Sequence, residues 1–218
     1  MKRLVIFDLD GTLLNTIADL GESTNFALQK LGYPTYDIPS YRFRVGNGIN
    51  KLFERSLPEG EKSEENVLRM RKIFIEHYNI HCTDGTRPYD GIPALLSNLQ
   101  KKKIMIAVAS NKYQAATSKL IHHFFSDIHF IAIQGQQDGR KVKPDPSIVT
   151  DIIQKAKVTT QDVLYVGDSG VDMQTANNSH VTSCGVTWGF RPIEELKAYQ
   201  PNYIVNQTEE IMELASSL

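Results

Sequence analysis

The sequence predicts an α/β protein: a doubly wound parallel sheet, Rossmann-like, with a helical segment inserted after its first strand. Three observations predict it. Apolar runs of strand length alternate with helical stretches beyond about residue 90, the pattern of βαβ units. A long stretch with helical spacing and few β-branched runs follows the first apolar run. The acids, hydroxyls and lysines stand directly after the apolar runs, where open α/β sheets bind their ligands.

Residues 4–9, led by Leu4-Val5-Ile6-Phe7, read as the first buried strand. It delivers Asp8-Leu9-Asp10-Gly11-Thr12 at its end. Side chains at i and i+2 of an extended segment share one side, so Asp8 and Asp10 face together. Acids held so close need a divalent cation, an anionic substrate handled through it, or a shared proton. From 16 to 81 the chain reads as helical. Ile17, Leu20, Thr24, Ala27 and Leu31 recur at helical spacing, Thr16 with Asp19 is expected to form a capping box, and Gly32-Tyr33-Pro34 is the stop. Val67, Met70, Phe74 and Tyr78 mark a second helix capped by Ser63. Thr83-Asp84-Gly85-Thr86-Arg87-Pro88 is a turn-rich return. The expected organisation is a core of residues 1–15 and 84–218 and a helical cap of residues 16–83, hinged near 13–16 and 82–88.

Lys101-Lys102-Lys103 suits a helix C-terminus, and Ile104 to Ala109 reads as the next strand. A helix over 112–124 would place Ser110 and Asn111 at its start. Phe130 to Ile133, Val163 to Val166, Val181 to Val186 and Tyr203 to Val205 read as further strands. Helices are expected over 146–157, 170–178 and 193–199 and at the end of the chain.

Composition excludes several classes. The 218 residues carry 24 basic and 25 acidic side chains, so no field points to nucleic acid or an anionic membrane surface. No apolar stretch reaches the about 7–15 residues of a signal segment or the about 20 of a membrane helix, so the expected location is cytoplasmic. Cys82 and Cys184 are far apart in sequence and fit neither a disulfide framework nor a zinc ribbon. His77 and His81 share a helix face without an acid ligand motif beside them, and zinc is not expected there.

The strand ends and one helix start supply the parts of a phosphoryl-transfer site. Asp8 is an ionised carboxylate that can attack phosphorus without an activating base. Mg²⁺ is the expected cofactor, held by Asp8, the Asp10 backbone carbonyl and Asp168. Lys143, in Lys143-Pro144-Asp145-Pro146, offsets the remaining phosphoryl charge. Ser110 and Asn111 would bind phosphate oxygens. Asp10 can protonate the leaving oxygen and then take a proton from water. Ser169 with Asp172 has capping-box spacing, while Asp172 can also orient Lys143 or a metal-bound water. Gly46-Asn47-Gly48 is neither a dinucleotide fingerprint nor a phosphate loop and reads as a turn between helices.

Asp8-Leu9-Asp10-Gly11-Thr12, Ser110, Lys143 and Gly167-Asp168 through Asp172, in this order, resemble the four motifs of the haloacid dehalogenase-like hydrolase superfamily. Gly185-Val186-Thr187-Trp188-Gly189 and the position of the insert are similar to its phosphoglycolate phosphatase-like branch. The resemblance implies a Mg²⁺-dependent phosphatase acting on a small phosphomonoester through an aspartyl-phosphate. Asp8 would then be the nucleophile, Asp10 the general acid/base, Lys143 the partner of both phosphate and Asp8, and Asp168 a metal ligand. Thr12 and Asp172 would support them, and the glycine loop would bring Arg42, Arg44, Asn47 and Lys51 to the substrate. The implied partner is a small phosphorylated metabolite, with no nucleic acid and no membrane, and a monomer or homodimer as the assembly. Asn15 stands where the family often has an acid, and Asn177-Asn178 where glycine is common, a place for a left-handed cap. A phosphomutase like β-phosphoglucomutase and an inorganic pyrophosphatase are the rival enzymes. A phospho-receiver signalling domain is the rival of another class.

Overall fold

The computed structural model describes residues 1–217. The chain begins with β1 (Leu4–Phe7) and a two-residue β2 (Leu14–Asn15), followed by helices α1 (Ile17–Lys30), α2 (Ile49–Ser56) and α3 (Glu64–His81). A second short strand, β3 (Arg87–Pro88), precedes α4 (Ile92–Lys101), β4 (Met105–Tyr113), α5 (Gln114–Phe124) and β5 (Phe130–Gln136). Then come α6 (Ser147–Ala156), β6 (Val163–Gly167), α7 (Gly170–Asn178), β7 (Thr182–Val186), α8 (Ile193–Ala198), β8 (Tyr203–Val205) and α9 (Thr208–Ser217).

Six strands form one sheet in the order β5-β4-β1-β6-β7-β8, and every neighbouring pair is parallel. The all-parallel pairing follows from the helical crossovers, which bury both sheet faces. Alternation along β1 divides the core. Val5 and Phe7 pack with α4, α5 and α9 on one face. Leu4 and Ile6 pack with α6 and α7 on the other. All four β1 side chains are fully buried, so the strand that delivers Asp8 is fixed from both sides.

The helices between β2 and β3 pack on one another through Tyr41, Phe53, Met70, Phe74 and Tyr78. Ser63 caps α3 by accepting from the Asn66 amide at 3.2 Å. The Thr16–Asp19 capping box does not form, because both side chains have other partners. Thr16 Oγ1 donates to Asp10 Oδ1 at 2.7 Å. The buried Asp19 carboxylate accepts from the Gly85 and Thr86 amides and from Thr86 Oγ1 at 2.7, 2.8 and 2.6 Å. Asp19 thus ties the start of α1 to the return segment. Beside this clasp β2 and β3 pair antiparallel, Leu14 with Pro88 and Asn15 with Arg87.

Three local expectations change. The first strand ends at Phe7, not at Leu9. β4 runs through the polar Ser110-Asn111-Lys112 to Tyr113, whose partner is Gln136 on a lengthened β5. Ser110 and Asn111 therefore sit in a strand, not at a helix start. The left-handed residue after α7 is His180, with φ of 55°, while Asn177 and Asn178 remain helical. Those two asparagines instead donate to the carbonyls of Tyr199 and Pro144. Among the described residues no helix is long and apolar enough to cross a membrane.

Candidate active site

Parallel pairing places the ends of β1, β4 and β6 side by side, with β1 between the other two. Asp8 follows β1, Ser110 lies in the last part of β4, and Asp168 follows β6. Lys143, from the segment before α6, reaches into the same place. Its Nζ donates to Asp8 Oδ1 at 2.8 Å, Asp172 Oδ1 at 2.7 Å, the Ala109 carbonyl at 3.0 Å and the Tyr165 hydroxyl at 3.1 Å. Asp172 makes contacts on both sides. Its Oδ2 accepts from Ser169 N and Oγ at 3.1 and 2.5 Å, completing the α7 capping box, while Oδ1 faces Lys143.

Among the described residues, Asp8, Asp168 and Asp172 form a buried group whose carboxylate oxygens lie within 4.8 Å of one another. With all three ionised, the carboxylates against one ammonium would leave an excess of two negative charges at the buried end of the site. Burial pushes the Asp8 carboxyl up to about 7, against the pull of Lys143, and Asp172 adds to the rise. Burial also holds Asp168 well above the usual carboxylate range, with Asp172 and Asp8 reinforcing it. Burial alone would lower the Lys143 ammonium, but Asp172 and Asp8 outweigh it and hold it well above its usual range. An excess of two negative charges on hard oxygen donors suits a divalent cation such as Mg²⁺. Asp172 is taken up by Lys143, Tyr165 and Ser169. Asp8 and Asp168 are left as the carboxylates to hold the cation.

Asp168 is set by close backbone packing. Thr12 Oγ1 donates to its Oδ1 at 3.4 Å and the Phe190 amide to its Oδ2 at 2.7 Å. Gly11 has φ of +88°, and a Cβ there would stand 2.3 Å from Asp168 Oδ2. Only glycine meets both demands. A Cβ on Gly189 would come within 2.2 Å of Asp168 Cβ, so the loop after β7 closes on the same carboxylate.

Asp10 lies apart from this group. Lys112 Nζ reaches both its oxygens, at 3.0 and 3.2 Å, and Thr16 Oγ1 holds Oδ1. The Lys112 ammonium also sits 4.7 Å from the centre of the Tyr78 ring. Sequence reasoning left Lys112 out of the site. Its one signal was its place directly after Ser110-Asn111, which shows only once β4 extends to Tyr113.

One cleft joins these parts. It encloses about 650 Å³ of empty space including its mouth, and Asp8, Asp10, Ser110, Asn111, Lys112 and Asp168 line it. Asn111 lines the cleft, but its side chain is engaged with backbone. Oδ1 accepts from Lys143 N at 2.8 Å, and Nδ2 donates to the carbonyls of Lys143 and Gly46 at 3.1 and 3.2 Å. The Asn111 amide is thus a brace between Lys143 and the glycine loop, and Ser110 remains the hydroxyl at the cleft. Arg191, also missed in the sequence, lines the cleft and donates to the Val45 carbonyl at 2.8 Å.

The glycine loop reaches the cleft through Gly46 and Gly48, but the four polar residues expected to follow do not line it. Arg42 stacks on Phe43 and Arg44 on Tyr36. Asn47 accepts from Arg55 at 2.7 Å, and Lys51 pairs with Glu54 at 2.5 Å. Each has an internal partner within its own helical segment. His77 meets Ser23 and His81 meets Asp84, with no third ligand among the described residues. Cys82 and Cys184 are separate, buried thiols.

The comparisons with known proteins agree with this geometry. The family description "Haloacid dehalogenase-like hydrolase" matches residues 5–186. A phosphoglycolate phosphatase from Mesorhizobium japonicum is 30% identical over 220 residues, spanning 100% of this chain and 96% of that protein. Another, from Agrobacterium fabrum, is 32% identical over 208 residues, spanning 94% of this chain and 89% of that one. The crystal structure of a predicted phosphoglycolate phosphatase from Haemophilus somnus 129pt superposes with a TM-score of 0.89 at 25% identity, covering 98% of this chain and 97% of that one. With its central strand delivering Asp8 to a buried lysine and two further carboxylates, and Asp10 to the cleft beside them, the chain belongs to the haloacid dehalogenase-like hydrolases, in their phosphoglycolate phosphatase-like branch.

Proposed function

We propose that the protein is a Mg²⁺-dependent phosphatase that hydrolyses a small phosphomonoester, of about phosphoglycolate's size, through an aspartyl-phosphate on Asp8. The observation that carries the proposal is the division of labour between the two N-terminal acids. Asp8 has one oxygen on Lys143, and its other accepts no hydrogen bond among the described residues. Asp10 instead sits with Lys112 and Thr16 across the same cleft.

In the first step a free Asp8 oxygen forms a bond to phosphorus as the ester P–O bond breaks. The leaving alcohol keeps that electron pair and takes a proton from Asp10. In the second, Asp10 removes a proton from water, the water oxygen bonds to phosphorus, and the Asp8–phosphorus bond breaks. Phosphate and the Asp8 carboxylate are the products. Lys143 orients Asp8 and offsets phosphoryl charge, Asp172 and Tyr165 hold Lys143, and Ser110 donates to a phosphate oxygen. Asp8 and Asp168, with the Asp10 backbone carbonyl, would hold Mg²⁺, which supplies charge neutralisation at the phosphoryl oxygens. The helices of residues 16–83 act as a cap over the cleft, moving about the β2–β3 connections to admit substrate and exclude water.

The two free thiols support a cytoplasmic location as part of this reading. Release of inorganic phosphate from a panel of phosphomonoesters and pyrophosphate, with Mg²⁺ and with chelator, tests the proposal. Mg²⁺-dependent release is expected. A phosphoryl group returned to the sugar with no free phosphate would overturn it in favour of a mutase.

A further inference from the structure

Two cations line the cleft, Lys112 and Arg191, and both come from the core, not from the helices between β2 and β3. Lys112 faces both oxygens of Asp10. Arg191 has no such carboxylate. Its one hydrogen bond among the described residues goes to the Val45 carbonyl at 2.8 Å, and Glu195 lies 3.8 Å away, beyond hydrogen-bond reach. A guanidinium carries five N–H donors, so most of this fork has no acceptor, on a side chain that is only 12% exposed. We infer that Arg191 is a specificity-determining residue, which binds an anionic group such as a carboxylate on the leaving alcohol. The inference rests on the phosphatase reading and narrows it: the leaving group is read by a core arginine, not by the polar side chains of the cap.

The core fixes where this fork stands. The Phe190 amide donates to Asp168 Oδ2 at 2.7 Å, so the next residue, Arg191, is set relative to the phosphoryl end of the cleft. The glycine loop lies against it, since a Cβ on Gly46 would stand 3.6 Å from Arg191 Nη2. That loop adds neutral donors. No side chain caps the start of α2, and Gly46, Gly48 and Ile49 line the cleft with amides that meet no acceptor among the described residues. Burial and the Arg191 charge together lower the Arg55 guanidinium, and Glu54 and Glu195 do not cancel the effect, so this end of the cleft carries a positive field. A carboxylate arriving here exchanges water for charge-assisted bonds, and its two oxygens match the guanidinium fork. The apolar side chains around it, Leu52 and Phe74 among them, keep those bonds from being screened.

The test compares phosphoglycolate with its neutral amide, carbamoylmethyl phosphate, by phosphate release at saturating Mg²⁺. The two esters have nearly the same shape and differ in one charge. In the unmodified enzyme kcat/KM for phosphoglycolate is expected to exceed that for the amide by at least about tenfold. In Arg191→Met this ratio is expected to fall by at least about tenfold, and Arg191→Lys, which keeps the charge without the fork, should recover part of it. A ratio below about tenfold in the unmodified enzyme would overturn the assignment while leaving the phosphatase reading intact. An equal loss on both esters in folded Arg191→Met, with the ratio unchanged, would show a merely structural arginine and would also overturn it. No release from either ester, nor from para-nitrophenyl phosphate, would overturn both readings together. Should Arg191→Met fail to fold, the ratio in the unmodified enzyme decides the matter.

Discussion

Replacing Asp8 by asparagine should abolish turnover at almost no cost to the fold. The two effects separate because Asp8 sits among opposing charges. Its attraction to Lys143, at 2.8 Å, is about 6 kcal/mol at an effective dielectric of about 20. Asp168 and Asp172, whose oxygens lie within 4.8 Å, each repel it by about 3.5 kcal/mol or more on the same scale. Attraction and repulsion nearly cancel, and the carboxylate's burial adds to the repulsive side. The substituted amide would keep the shape and an acceptor for Lys143 without the charge. In chelator, the variant should unfold at the same temperature as the unmodified protein or up to about 8 °C above it. Mg²⁺ should raise the unfolding temperature of the unmodified protein more than that of the variant, because one anionic ligand is gone. Thermal unfolding with and without Mg²⁺, alongside phosphate release, makes the measurement. A fall of more than about 10 °C in chelator would show that the carboxylate holds the fold together and would refute the charge argument. Retained turnover would refute the nucleophile.

Further predictions concern residues around this centre. Asp10→Asn should keep the fold and lower kcat by about 10²–10⁴-fold, since one residue supplies and recovers the proton; rapid-quench kinetics at the wild-type rate would count against it. Lys143→Met removes the one ammonium among three buried carboxylates, and should destabilise by about 3–5 kcal/mol as well as inactivate; an unchanged denaturation midpoint would contradict the charge count. Asp19→Ala leaves two backbone amides and a hydroxyl without their acceptor, for a loss of about 2–4 kcal/mol. Limited proteolysis should then cut the return segment near Gly85 first, and wild-type resistance there would argue against the clasp.

Much of this architecture was legible because each signal was local. Apolar runs such as Val163 to Val166 can only be buried strands, and acids placed directly after them point to a sheet edge. Asp172 was readable as a capping residue because its Ser169 partner lies three residues away. What stayed hidden depends on partners remote in sequence. Asp19 looks like a first-turn acid, yet its partners stand 66 and 67 residues on. Polar Ser110-Asn111-Lys112 lacks strand character, and its β5 pairing lies at its flanks, Ala109 with Gln134 and Tyr113 with Gln136. Lys112 and Arg191 carry no motif, since one is defined by Asp10 and the other by the Val45 carbonyl. The polar cap residues misled because loop composition does not show which way a side chain turns. Arg44 and Asn47 found partners close by.

The antiparallel pairing of Asn15 with Arg87 brings the two ends of a long excursion to strand spacing, about 5 Å apart. The sheet beneath meets the excursion at this junction and at a few further contacts, the Asn111 and Arg191 bonds to the Gly46 and Val45 carbonyls among them. Such a junction behaves like a socket. Asp8, which lies before the junction in the chain, is anchored by β1 and not by the excursion. The apolar wall over the cleft and the carboxylates at the strand ends thus belong to separate stretches of chain, joined at one strand pair.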